Sequence, residues 1–254
     1  MRRLAPLIVF AAATAILGAC SHRSPLLEPT PEELHTPGPD SFRVVFQTTR
    51  GPFLVMAHRD WSPYGVDRFY FLVSHHYYDD TYFFRVVKGY VAQWGISDSP
   101  LLNQGWGTRT LPDEPVMRSN LRGMIAYARG GPQTRAVQLY VNYRDNPKLD
   151  TLNGFGFPPI AQVVQGMDVL DSLYAGYANE PVQDSIERYG NAYLKRRFPR
   201  LDRIVTARVT ETWGDTLSAS MSLERGGFDR DRRRPRGGGD RDGDGGFGGD
   251  GGGR

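Results

Sequence analysis

The chain has 254 residues, of which 39% are apolar and 12% aromatic, with a formal net charge of +3. That content builds one ordinary hydrophobic core and, once the biased ends are set aside, hardly a second. The charge sits at those ends: Arg2 and Arg3 open the chain and the stretch from Arg225 carries eight Arg against six Asp, so the body from Ser21 to Glu224 is close to neutral, about −1, which excludes a basic nucleic-acid-binding surface there.

Residues 1–19 have the layout of a secretory signal peptide: a basic start, an apolar run from Leu4 to Leu17, and small residues up to Cys20. The run has fourteen residues and falls short of the roughly 20 a spanning helix needs. Leu17-Gly18-Ala19-Cys20 resembles the lipobox of bacterial lipoproteins, which implies cleavage before Cys20 and a lipid anchor on it. Cys20 is the only cysteine, so no intramolecular disulfide forms. Ser21 stands where an Asp often retains lipoproteins at an inner membrane, which points to the periplasmic face of an outer membrane where the cell has one. Residues 20–40 carry Pro25, Pro29, Pro31, Pro37 and Pro39 without hydrophobic period, which predicts an extended tether.

From residue 41 the periodicities become strong. Phe42 to Thr48 and Pro52 to His58 alternate as a hairpin around Arg50-Gly51. Val66, Phe69, Tyr70 and Val73 recur at helical spacing, predicting a helix over Pro63 to His75. Tyr82 to Val87 and Tyr90 to Gly95 read as a second strand pair, with Phe83, Arg85 and Val87 on one face and Tyr82, Phe84 and Val86 on the other. Gly123 to Ala128 and Val137 to Tyr143 give a third pair. Ile160 to Val164 is a further strand, Met167 to Tyr174 a second main helix opened by Gly166, Asn191 to Phe198 a short helix in a charged insertion, and Arg203 to Thr212 the closing strand. The class predicted is mainly β: a closed eight-stranded barrel over 41–213, capped by two main helices. Residues 214–254 read as a Gly/Arg/Asp-rich tail; past Arg225 they are almost only those three residues, too polar to offset the ordering of their backbone, which predicts disorder.

Arg85 is a permanent cation in an apolar hairpin, and burying it costs several kcal/mol, about 2–7 even for a neutral polar group, unless it is paired or used. The segment Phe83-Phe84-Arg85-Val86-Val87-Lys88-Gly89-Tyr90-Val91-Ala92-Gln93-Trp94-Gly95 resembles the first signature of the cyclophilin family of peptidyl-prolyl cis/trans isomerases, F-x-R-[IV]-[IV]-x-G-[FY]-x-x-Q-x-G, at every fixed position. Gly123 to Val141 matches the second signature in part, and Ile160 to Leu170 is similar to the strand and helix that follow. The resemblance, over about Ser41 to Trp213, implies a monomer that isomerises X-Pro bonds in polypeptide clients without cofactor or metal. By it Arg85 is the catalytic residue; Tyr90, Val91, Tyr140 and Phe157 form the apolar floor for the proline ring; Gln93, Gln138 and the backbone of Arg129 hold the acyl side; and Ala128 lines the neighbouring pocket.

The departures from the pattern lie on the rim. Tyr90 and Val91 replace the frequent Phe and Met, Arg129 a usual Asn, Leu149 falls near a family Trp, and Phe157 falls where many members have His. They leave a second reading, a non-catalytic module that binds proline-containing segments at the cell envelope. The segment 179–201 has no counterpart in compact members and is expected as an added surface element. His58-Arg59-Asp60 lacks the companions of a kinase loop, His75 and His76 are adjacent and point apart, and the Asp240-Asp242-Asp244-Gly245 run lacks the Glu that closes a calcium loop.

Overall fold

The computed structural model describes residues 23–214; the leader, Cys20 and the tail from residue 215 lie outside the described residues. Its strands are β1 (Ser41–Thr48), β2 (Gly51–His58), β3 (Arg85–Val87), β4 (Val91–Trp94), β5 (Met124–Tyr127), β6 (Leu139–Asn142), β7 (Pro159–Gln165) and β8 (Ile204–Trp213). The helices are α1 (Pro31–His35), α2 (Pro63–Ser74), α3 (Pro100–Gly107), α4 (Met167–Asp171) and α5 (Gln183–Arg197).

Alternation makes the first hairpin as expected. Phe42, Val44 and Phe46 of β1 and Phe53, Val55 and Ala57 of β2 are all fully buried. Phe46 lies directly across from Phe53, and their rings stack with centroids 4.7 Å apart. The eight strands pair antiparallel in the order β3-β4-β6-β5-β7-β2-β1-β8, a mainly β fold with the predicted strand count. Closure is narrower than a continuous barrel seam. The sheet ends meet through a single bridge between Tyr82 and Arg203, with Phe83 N–H donating to Asp202 O (3.0 Å) and Ile204 N–H to Thr81 O (2.8 Å).

This closure corrects the predicted faces around Arg85. Because the chain binds β8 first, at Tyr82 and Phe83, it pairs with β4 only from Arg85 onward, and the alternation changes phase between the two. Phe83 and Val86 enter the main core, while Tyr82 and Phe84 join a second cluster with Ile96, Ile186, Leu194 and Phe198. Arg85 therefore does not share a face with Phe83.

The helices depart further. α2 matches its prediction, but the helix expected over Met167–Tyr174 is the single turn α4. Gly166 before it has φ +88°, and a side chain there would meet Pro52 O at 2.7 Å. α3 was not predicted; Pro100 and the Ser99 hydroxyl, which accepts from Leu102 N–H, start it despite a composition poor in helix formers. α5 is nearly twice the predicted length and is broken at Gly190 (φ +60°, ψ −155°).

The stretch expected as an extended tether is, from Arg23 on, docked against the domain. Leu26 and Leu34 pack on the core, Leu26 O accepts from Trp106 Nε1 (3.0 Å), and Gly38 N–H donates to Asp67 (2.9 Å). α1 inside it carries a capping box between Thr30 and Glu33.

A buried ion pair fixes α2. Glu114 accepts from the N–H groups of Tyr64 (2.8 Å) and Gly65 (3.1 Å) at the start of the helix, from Ser62 Oγ, and from Arg135 Nη2 (2.8 Å). The side chain of Arg135 is 0% exposed and that of Glu114 5%. Removing one partner strands the other charge, so Glu114→Ala should lower unfolding free energy by about 3–5 kcal/mol, read as a shift of the urea midpoint at unchanged slope.

Candidate active site

β4 and β6 are paired so that alternate residues part cleanly. Ala92, Trp94, Leu139 and Val141 enter the core, and Val91, Gln93, Gln138 and Tyr140 line the opposite face. Gln93 lies across from Tyr140 on one side and from Arg85 on the other. At the end of β4, Gly95 (φ +105°) passes so close to the neighbouring chain that a Cβ would meet Val137 O at 2.8 Å. Only glycine lets the two strands approach in this way.

The polar groups form a directed chain. Arg85 Nη1 donates to Gln93 Oε1 (3.2 Å), and Gln93 Nε2 donates to Gln138 Oε1 (2.8 Å). Arg85 Nε donates to Asn179 Oδ1 (2.7 Å), and the guanidinium lies 5.7 Å from the centroid of the Tyr90 ring. Each of these partners is neutral. Among the described residues Arg85 Nη2 donates to no protein group, so one arm of the fork is left for a ligand.

Beside this cation is an apolar floor made by Val91, Ala126, Tyr140 and Leu149, against which Tyr90, Ala128 and Phe157 pack. The Tyr140 and Phe157 rings meet edge to face, centroids 5.9 Å apart. Burial pushes the Tyr140 phenol well up, so it stays neutral, and its O–H donates to Asn120 Oδ1 (2.9 Å). Asn120 is fully buried and its Nδ2 donates to Asp150 (2.8 Å) and to Phe157 O (2.9 Å), while Phe157 N–H returns to Leu149 O (2.9 Å). One amide thus ties the strand side of the floor to the loop side.

The Arg129 side chain, at a position where the resemblance implies use of the backbone, clamps the rim. It pairs with Asp113, donates to Gly131 O (3.0 Å) and Gly156 O (3.2 Å), and lies 3.9 Å from the centroid of the Phe155 ring. Burial pulls its pKa down, and Asp113 opposes that.

The structure brings all ten residues proposed for the groove, Arg85, Tyr90, Val91, Gln93, Ala128, Arg129, Gln138, Tyr140, Leu149 and Phe157, around one cavity of about 400 Å³. Cys20 lies outside the described residues. Sequence reasoning missed Asn179, the buried Asn120, Asn103 of α3, and Gln183 and Glu187 of α5. The last two belong to 179–201, expected as an added surface element; its first helical half is also a wall of the groove. Asn120 gave no local signal because its partners are 20 to 37 residues away along the chain. Among the described residues no group of three or more His, Cys, Asp or Glu converges as metal ligands would.

Residues 43–191 match the family model described as cyclophilin type peptidyl-prolyl cis-trans isomerase/CLD. Peptidyl-prolyl cis-trans isomerase B of Escherichia coli (strain K12) is 31% identical over 135 residues, covering 51% of this chain and 82% of that protein. Peptidyl-prolyl cis-trans isomerase CYP18-1 of Arabidopsis thaliana is 31% identical over 136 residues, 51% of this chain and 81% of that one. Among solved structures, a cyclophilin type peptidyl-prolyl cis-trans isomerase of Cryptosporidium parvum superposes with a TM-score of 0.51 at 18% identity, over 68% of this chain and 99% of that one, a likeness of fold. With its groove built as described, the chain belongs to the cyclophilin-type peptidyl-prolyl cis-trans isomerase family and is an X-Pro isomerase.

Proposed function

We propose that Arg85 catalyses X-Pro rotation in exported polypeptides by donating from its free Nη2 to the prolyl nitrogen. The barrier, about 18–20 kcal/mol, comes from resonance that makes the C–N bond partly double. A cation that hydrogen-bonds the nitrogen lone pair competes with that resonance and stabilises the twisted state over both planar ones. The floor of Val91, Tyr140, Leu149 and Phe157 holds the ring, and Gln93, Gln138 and the Arg129 backbone hold the acyl side. Rotation then occurs between two clamped parts. The observation that carries this reading is a guanidinium aimed by three neutral partners, Gln93, Asn179 and Tyr90, beside an apolar pocket. Neutral partners orient the charge without cancelling it.

The proposal extends to place. Cleavage before Cys20 and lipidation of it would hold a monomeric enzyme at the cell envelope, with client polypeptides arriving from outside the inner membrane. Only Ser21 and His22 separate Cys20 from Arg23, where the docked segment begins, and such a span reaches about 10 Å. An anchored domain would therefore sit against the bilayer, not on a long tether.

In an exchange-NMR or protease-coupled assay on an X-Pro peptide, Arg85→Ala should lose roughly 10²–10³-fold in kcat/KM, by analogy with removing one oxyanion donor, and Arg85→Lys should recover only a minor part because it lacks the fork. An Arg85→Ala enzyme with undiminished rate would refute the assignment. Asn120→Ala should raise KM for the same peptide and lower stability by about 1–3 kcal/mol, the cost of leaving the buried Tyr140 hydroxyl unpaired. In cells, radioactive fatty acid should label the wild-type chain and not Cys20→Ser; persistent labelling of the variant would refute the anchor.

A further inference from the structure

The groove extends beyond the groups that act on the X-Pro bond, and its extension is made by α3 and α5. On the lining face of β4, Val91 belongs to the floor and Gln93 to the acyl clamp, with Gly95 and Ile96 next. Across the strands, Tyr140 belongs to the floor and Gln138 to the clamp, with Ala136 next. Both sequences run the same way through space because the strands are antiparallel. A client lying with its proline ring on the floor and its acyl carbonyl at Gln93 and Gln138 therefore sends its preceding residues toward Ile96. There the cavity is walled by Asn103 of α3 and by Gln183 and Glu187 of α5.

This wall is preorganised. Gln183 and Glu187 are four residues apart and so share one helix face. Ile186 between them is fully buried in the second core with Phe84 and Ile96. Asn103 Nδ2 donates to Glu187 O (3.2 Å), pinning the backbone that carries the carboxylate. At the helix break, Gly190 lies where a Cβ would meet Asp98 O at 2.2 Å, and Asn191 donates from its backbone to Asp98 (2.6 Å) and from its side chain to Asp80 O (2.8 Å).

The charge of the wall is uncompensated. The other charged side chains lining the cavity are Arg85, used in the reaction, and Arg129, paired with Asp113. Glu187 is accessible and, among the described residues, has no cation within ion-pair distance; partial burial and then Asp184 raise its pKa.

Resting on the reading of the groove as the X-Pro site, we propose that Glu187 selects clients with a lysine or arginine two or three residues before the proline. An extended chain advances about 3.3 Å per residue, so the residues two and three before the proline lie past Gln138 toward Ile96, where a long cationic side chain can meet the carboxylate.

The test is a set of X-Pro peptides with Lys, Ala or Glu at the second or third position before proline, followed by exchange NMR for turnover and by fluorescence titration for binding. Wild type should favour the Lys over the Glu peptide about three- to fivefold in kcat/KM and in affinity, as an exposed charge contact allows, with the ratio shrinking at high salt. The ratio should fall to about one in Glu187→Gln and invert in Glu187→Lys. Because each ratio is taken within one variant, loss of folded protein does not change it. A wild-type ratio of one, or a preference that survives in Glu187→Gln, overturns the proposal. If no peptide is turned over, the catalytic reading fails instead, and the binding ratios still decide the role of Glu187.

Discussion

A guanidinium at the edge of an apolar floor has to be held in place without being neutralised. A carboxylate beside Arg85 would fix it well but spend its charge, and water alone would leave it mobile. The structure uses neutral groups: the amide oxygens of Gln93 and Asn179 and the face of Tyr90. Much else follows from this requirement. Gln93 can present its oxygen to Arg85 only if its nitrogen has another acceptor, which Gln138 supplies. Gln138 reaches it only because Gly95 lets the two strands close up.

The apolar half of the groove depends on a second set of neutral polar groups. Asn120 accepts from Tyr140 and Asn142 and donates to Asp150 and to Phe157 O, so the floor, built partly on β6 and partly on an irregular loop, behaves as one surface. Buried polar networks of this kind stabilise only when every member is satisfied. The ion pair of Glu114 and Arg135 at the start of α2 uses full charges instead, and it leaves the buried Arg135 Nε without a partner among the described residues. Chemistry in the groove and stability at the barrel end thus rest on separate networks.

The segment that carries α5 helps to enclose the groove. Its hydrophobic side, Ile186, Leu194 and Phe198, covers Tyr82, Phe84 and Ile96, the residues left outside the main core by the phase change before Arg85. The same helix that covers this surface turns Gln183 and Glu187 to the cavity. Covering an apolar surface and lining the groove are two faces of one element.

The strands with clear alternation, the helix α2 and the ten groove residues are legible in the chain alone, because their signals are local: a period of two or 3.6, or a motif read along a few positions. The Thr30–Glu33 capping box is a local signal too, set among the prolines of residues 23–40. The docking of residues 23–40, the parting of Arg85 from Phe83 and the place of α5 in the groove wall emerge only in three dimensions. Those outcomes depend on contacts between distant positions, Leu26 with Trp106, Tyr82 with Arg203, Arg85 with Asn179, Asn191 with Asp80. A hydrogen bond across 80 or more residues leaves no periodicity in the chain, so the three-dimensional path has to be known before it can be read.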